Sequence, residues 1–328
     1  MNAAKINERD YIQFLIAAQR VYSCVEAGRL NTQAAAHDAY TRLLSRLPAD
    51  TQALWNEAKQ LVSLAGGVLM LDDSTLDKPY AKRIGLVTRH WSGKHHRVVW
   101  GINLQSLVWS DGQKVVPTDC RLYAKAEDGL TKNEHARQIF ITAKERGFEP
   151  ELVLFDSWYS GLDNLKLLRK LSWAWLCRLK SNRQVNPDGK GNVAISQLDI
   201  PDQGRLVHLK GYGVVKVFRT VDPDGDANYW ASSQLDMTPE QFTLFAQRAW
   251  TIEGYHRAIK QCTGIEKSQM RTSTAQRNHI LLALRAFIRL ELNRLRTGRS
   301  WYQAKLDIIR DTIRAYLAQP WYQWPATA

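Results

Sequence analysis

Two aspartates, Asp73 and Asp156, lie just beyond short apolar runs, Val68-Leu69-Met70-Leu71 and Leu152-Val153-Leu154-Phe155. Runs of that length bounded by polar residues read as buried strands, so both carboxylates are expected at strand ends. A hard divalent cation takes oxygen ligands, and carboxylates from neighbouring strand ends can bracket such an ion. Trp250-Thr251-Ile252-Glu253 offers a third carboxylate, from a helix. On that helix Glu253, Arg257 and Lys260 stand at i, i+4 and i+7 and share one face, with His256 close to it. An acid and two bases on one stripe suit metal ligation beside a phosphate backbone. They equally suit a solvated salt-bridge face, and spacing alone leaves both open. Asp72 competes with Asp73, the two side chains pointing to opposite faces if the strand continues.

The elements that must position these residues follow from periodicity and turn signals. Residues 1 to about 64 carry apolar residues at helical spacing, among them Tyr11, Phe14, Leu15, Leu43, Leu44, Leu47 and Leu54. After Gly66-Gly67 comes the first strand. Arg97 to Trp109 and Lys114 to Tyr123 form a hairpin around Ser110-Asp111-Gly112. A helix over Thr131 to Gly147, the strand before Asp156, a helix over Gly161 to Leu171 and a strand over Trp173 to Leu179 complete an α/β order with a mixed sheet. Residues 183–236 are rich in turns and β-formers, as at Pro187-Asp188-Gly189 and Pro223-Asp224-Gly225, and read as a β-rich insertion before the third carboxylate. From Pro239 onward the chain reads as helices over Glu240 to Thr263, Thr272 to Thr297 and Trp301 to Leu317. The predicted regions are a helical N-terminal region at 1–65, a core at 66–182 and 237–298, the insertion at 183–236 and a helical C-terminal tail at 299–328.

Lys and Arg outnumber Asp and Glu by 45 to 32 across the 328 residues, a net charge of +13 that favours a polyanionic partner. No apolar run reaches the roughly 18 residues of a membrane span, and Met1 to Asp10 lacks the order of a signal peptide, so a cytoplasmic protein with no membrane partner is expected. Cys24, Cys120, Cys177 and Cys262 have no short spacing, which argues against a zinc ribbon or a disulfide framework. Residues 241–300 hold 11 Lys or Arg against 3 Glu, including Arg248 and the run Arg271, Arg277, Arg285, Arg289, Arg294, Arg296 and Arg299. Six basic residues and no acid lie between Asp77 and Asp111, with Trp91, His95 and His96 interleaved. Such stretches suit phosphate contacts.

The segment from Trp250 to Lys260 resembles the end of the Tyr-Arg-Glu-Lys signature of bacterial insertion-sequence DDE transposases, cut-and-paste enzymes with a ribonuclease-H-like core. Asp73-Ser74-Thr75 resembles the family's first catalytic block, and Val153 to Tyr159 the second. The resemblance covers roughly residues 66 to 295, with the three blocks in order. It departs at two positions: the signature Arg falls on Ala249, beside Arg248, and the signature Tyr on Ala246, beside Phe245.

The resemblance implies that Asp73, Asp156 and Glu253 are catalytic and hold two Mg²⁺ or Mn²⁺ ions, the Asp-Ser-Thr match favouring Asp73 over Asp72. It implies that Lys260 contacts DNA phosphate near the cut, with Arg257, His256, Arg248 and Arg271 as further DNA-binding candidates. Some relatives trap a flipped base on an aromatic ring, for which Trp230 is in a comparable place. The implied partners are double-stranded DNA, as terminal inverted repeats and target, and a second copy of the chain on that DNA. The 1–65 region is a candidate for binding DNA ends. Two rivals remain: a structure-specific nuclease of the same fold without strand transfer, and a catalytically silent DNA-binding descendant.

Overall fold

The structure, a computed structural model, describes residues 5–32, 35–81, 83–92 and 95–320. Residues 321–328 of the expected tail, the first four residues, and Lys82 and Lys94 of the basic stretch lie outside the described residues. In chain order the helices are α1 (Glu8–Ala17), α2 (Cys24–Leu30), α3 (His37–Arg46), α4 (Gln52–Ala58), α5 (Lys125–Asp128) and α6 (Lys132–Glu145). They continue as α7 (Leu162–Lys170), α8 (Pro239–Ala249), α9 (Thr251–Cys262), α10 (Ser273–Thr297) and α11 (Trp301–Ala318).

The chain divides into two compact units. One comprises residues 1–50, 83–85 and 257–328, and the other residues 51–82 and 86–256. In the first unit the N-terminal and C-terminal helices bury apolar faces on one another. In that helical unit most of α10 from Ala275 to Leu290 is buried and forms the core, with Arg277, Arg285 and Arg289 left half-buried. Tyr11 of α1 shares a 2.9 Å hydrogen bond with His279 Nδ1, and the Asn278 amide donates to the carbonyls of Leu44 and Leu47. The Lys305 ammonium of α11 is buried, donating to the carbonyls of Leu15, Ile16 and Ala18 and to the Tyr22 hydroxyl.

The other unit is built on one 11-stranded sheet. Its first strands are β1 (Val68–Asp77), β2 (Thr88–Ser92), β3 (Arg97–Ser110), β4 (Val116–Tyr123), β5 (Leu152–Phe155) and β6 (Trp175–Leu179). Then follow β7 (Gln184–Asn186), β8 (Val193–Ala194), β9 (Arg205–Leu209), β10 (Gly213–Val221) and β11 (Ala227–Ser232). β4 pairs with β3 and β3 with β1, both antiparallel, while β1, β5 and β6 run parallel. The order β4-β3-β1-β5-β6 is the ribonuclease-H-like mixed sheet expected. β11 adds to β6 antiparallel, and β10, β9, β7 and β8 carry the same sheet outward, so the β-rich insertion extends the core sheet. Gly112 closes the β3–β4 turn at φ +95°, a backbone that other residues adopt at a cost.

β1 is longer than its apolar run predicts. It continues through Asp72 and Asp73 to Asp77, held by β3 along its whole length. Its pairing with β5 stops at Leu71–Phe155. The two aspartates are therefore mid-strand residues, placed where β1 loses its parallel neighbour.

Candidate active site

Period-two alternation sends Asp72 and Asp73 to opposite faces of the sheet. Asp73 shares its face with Asn103 and Gln105 of β3. Its carboxylate takes hydrogen bonds from the Asn103 amide, from Tyr159 Oη at 2.7 Å and from Lys132 Nζ at 3.0 Å. Gln105 fastens this cluster, donating to Tyr159 Oη at 2.9 Å and to the Lys132 carbonyl at 2.8 Å. Burial works to raise the Asp73 pKa. The Lys132 charge and the donated hydrogen bonds outweigh it and hold the carboxyl below its ordinary value.

Asp72 faces the other way, beside acids. Burial, followed by the charges of Asp156, Asp73 and Glu253, raises its pKa well above that of an ordinary aspartate, opposed by a hydrogen bond from the Asp73 amide. The nearest basic group paired with it is His256, whose Nδ1 is 3.7 Å from Asp72 Oδ2. Asp156 follows the last residue of β5 and caps a short turn, its Oδ1 accepting from the Trp158 amide at 2.9 Å. That turn sends Tyr159 inward to Asp73 and leaves Trp158 exposed. Burial and the Asp73 charge raise the Asp156 carboxyl, against the pull of the turn's amides and Lys132. Glu253 is exposed in the first turn of α9, where the helix dipole favours a negative charge.

A pocket joins Asp72, Asp156 and Glu253, with Arg178, Trp230 and Trp250 in its walls. Arg178 of β6 lies over both rings, its guanidinium carbon 5.1 Å from the centre of Trp230 and 5.7 Å from that of Trp250. Trp250 interrupts the long helix expected between residues 240 and 263, and its ring is 56% exposed. Trp230 is only 5% exposed and packs edge-on against Phe242. A base could stack on Trp230 only by displacing its neighbours, which does not fit the base-trapping role expected of it.

The basic candidates are distributed differently from their expected roles. His256 is buried, with Nδ1 turned to Asp72. Arg248 reaches Glu151 at 3.7 Å, before β5, whereas Asp156 follows that strand. Lys260, on the same helix as Glu253, pairs with Glu266 at 3.2 Å. Arg257 and Arg271 are exposed. Of the arginine run, Arg285 pairs with Glu8, Arg294 with Glu291 and Arg299 with Asp307. Lys132, Tyr159 and Arg178 were not foreseen. Lys132 had a faint signal as the first helical residue after Thr131, whereas nothing in sequence spacing links it to Asp73.

A divalent cation is expected in such a site. Hard carboxylate donors that repel one another, with the Asp72 pKa raised by burial and by its acidic neighbours, are the chemistry that such an ion relieves. Among the described residues no three acid, histidine or cysteine side chains converge closely enough to ligate one ion as they stand. Fit is therefore one of charge and donor type.

The decisive comparison is with family models, in which the transposase DDE domain matches residues 90–288. The chain belongs to the DDE transposase family. The matched stretch of this DDE transposase holds Asp156 and Glu253 and begins after Asp72 and Asp73. A search of curated protein sequences returned no match. No described helix of the transposase is long and apolar enough to cross a membrane.

Proposed function

We propose that this transposase, of the insertion-sequence type, cleaves DNA at the ends of its element and joins them to a target, by metal-dependent in-line displacement at phosphorus. The carboxylates that carry the reaction in this reading are Asp72, Asp156 and Glu253, with Asp73 in a positioning role. The supporting observation is the unequal treatment of two adjacent aspartates. Asp73 is neutralised by Lys132, while Asp72 is left among acids in the pocket shared with Asp156 and Glu253.

In this reading Asp72, Asp156 and Glu253 would hold two Mg²⁺ or Mn²⁺ ions. Divalent cations held there would supply Lewis-acid activation of the attacking and departing oxygens. Lys132 and Tyr159 fix the β1 backbone through Asp73, and so aim Asp72. Arg178 brings a guanidinium to the pocket wall, where it suits a phosphate oxygen. The partner is double-stranded DNA, and holding two ends together calls for a dimer on it.

The test is incubation with a duplex carrying the element's terminal repeat, a plasmid target and Mg²⁺. Ends with 3′-hydroxyls covalently joined to the plasmid are expected. Cleavage without joining would make the protein a nuclease, and specific binding without cleavage would make it a silent descendant.

A further inference from the structure

We propose that a second groove, beside Asp156 but outside the carboxylate pocket, binds a single-stranded stretch of the DNA end. The inference deepens the transposase reading and rests on it. Ser157 and Trp158, the two residues after Asp156, form one side of this groove; Lys180, Arg183 and Lys210 line it as well. Its cavity of about 600 Å³ is of small-molecule size, with room for one or two nucleotides and none for a duplex.

The lining combines the two elements that hold unpaired strands, a stacking surface and a cationic track. Trp158 is 54% exposed, and its ring carries the ammonium groups of Lys132 at 5.6 Å and Lys180 at 5.7 Å. No acid lines the groove. Arg183 lines the groove as a half-buried cation and adds to the positive charge of its wall. Gly161 and Gly211 line the groove too, with no side chain to fill it. Because Ser157 and Trp158 directly follow Asp156 in the chain, a strand engaged at Asp156 would have the Trp158 ring and the cations Lys180, Arg183 and Lys210 in the adjoining groove.

Fluorescence anisotropy with labelled duplexes, one blunt and one bearing a short single-stranded extension, tests this. The wild type is expected to bind the extended duplex about tenfold more tightly, the equivalent of one stacked base. Trp158→Ala should remove that preference while binding the blunt duplex as before. Lys180→Glu/Lys210→Glu should remove it and lower the salt dependence for the extended duplex. All three altered positions are exposed, so circular dichroism should show unchanged folding. A wild type that binds blunt DNA without preference, or a Trp158→Ala protein that keeps the preference, overturns the groove alone. A wild type that binds no DNA overturns the transposase reading and this inference with it.

Discussion

Asp72 and Asp73 are adjacent in β1 yet lie in opposite electrostatic surroundings, Asp73 3.0 Å from the Lys132 ammonium and Asp72 beside the charges of Asp156 and Glu253. The backbone alternation of a single strand creates this difference. One carboxylate has an ammonium against it, and its neighbour has acids around it and the buried His256 at 3.7 Å.

Stability should therefore respond with opposite signs to the two neutralising changes. Asp73→Asn leaves the largely buried Lys132 without its charge partner and should cost about 1–3 kcal/mol. Asp72→Asn removes a repelled carboxylate and should be neutral or stabilising. Urea unfolding without added metal measures both, and equal losses would contradict the division of roles.

The same division sets a pH dependence. The folded Asp72 pKa lies above its unfolded value near 3.8, so from about pH 4 upward the unfolded chain has given up a proton that the folded chain keeps. Its contribution to stability is thus greatest at low pH and declines as pH rises through the folded pKa. Asp156 acts in the same direction. Asp73, with a lowered pKa, acts oppositely and loses its contribution as pH falls below its unfolded value. The Tm of Asp72→Asn relative to wild type should climb as pH rises above about 4, and Mg²⁺ should narrow the gap. Scanning fluorimetry across that range would show a flat difference if Asp72 titrated normally.

The two tryptophans of the pocket should also separate. Trp230→Ala empties a packed position and should cost about 3–5 kcal/mol, whereas Trp250→Ala, at an exposed ring, should stay within about 1 kcal/mol. Thermal unfolding distinguishes them.

In the helical unit, Lys305→Ala strips four oxygens of their donor and should cost about 2–4 kcal/mol. Burial lowers the Lys305 pKa from 10.5 to about 8. Between those values the unfolded chain binds the extra proton, so this group adds stability as pH rises through the window. A Lys305→Ala protein should lack that rise.

Much of this was legible in the sequence because the core strands are apolar runs and their breaks are marked by Gly, Asp and Pro. The β3–β4 hairpin, the strand before Asp156 and the helices of the C-terminal half follow from such patterns. The length of β1 does not, since Asp72 to Asp77 is polar by composition and is a strand only because β3 pairs with it. The choice between Asp72 and Asp73 was likewise hidden. It depends on Lys132 and Tyr159, 59 and 86 positions from Asp73, and spacing carries no trace of such contacts. Ion pairing was hidden for a related reason: three of the seven arginines from Arg271 to Arg299 pair with Glu8, Glu291 and Asp307.

The most direct test compares Mg²⁺-dependent cleavage of a terminal-repeat duplex by the wild type, Asp72→Asn, Asp73→Asn, Asp156→Asn and Glu253→Gln at a temperature where all five are folded. The account expects at least a thousandfold loss in the Asp72, Asp156 and Glu253 variants, since each removes a charge from the reacting site, and a loss of no more than about tenfold in Asp73→Asn. Full activity in Asp72→Asn together with abolition in Asp73→Asn would contradict it.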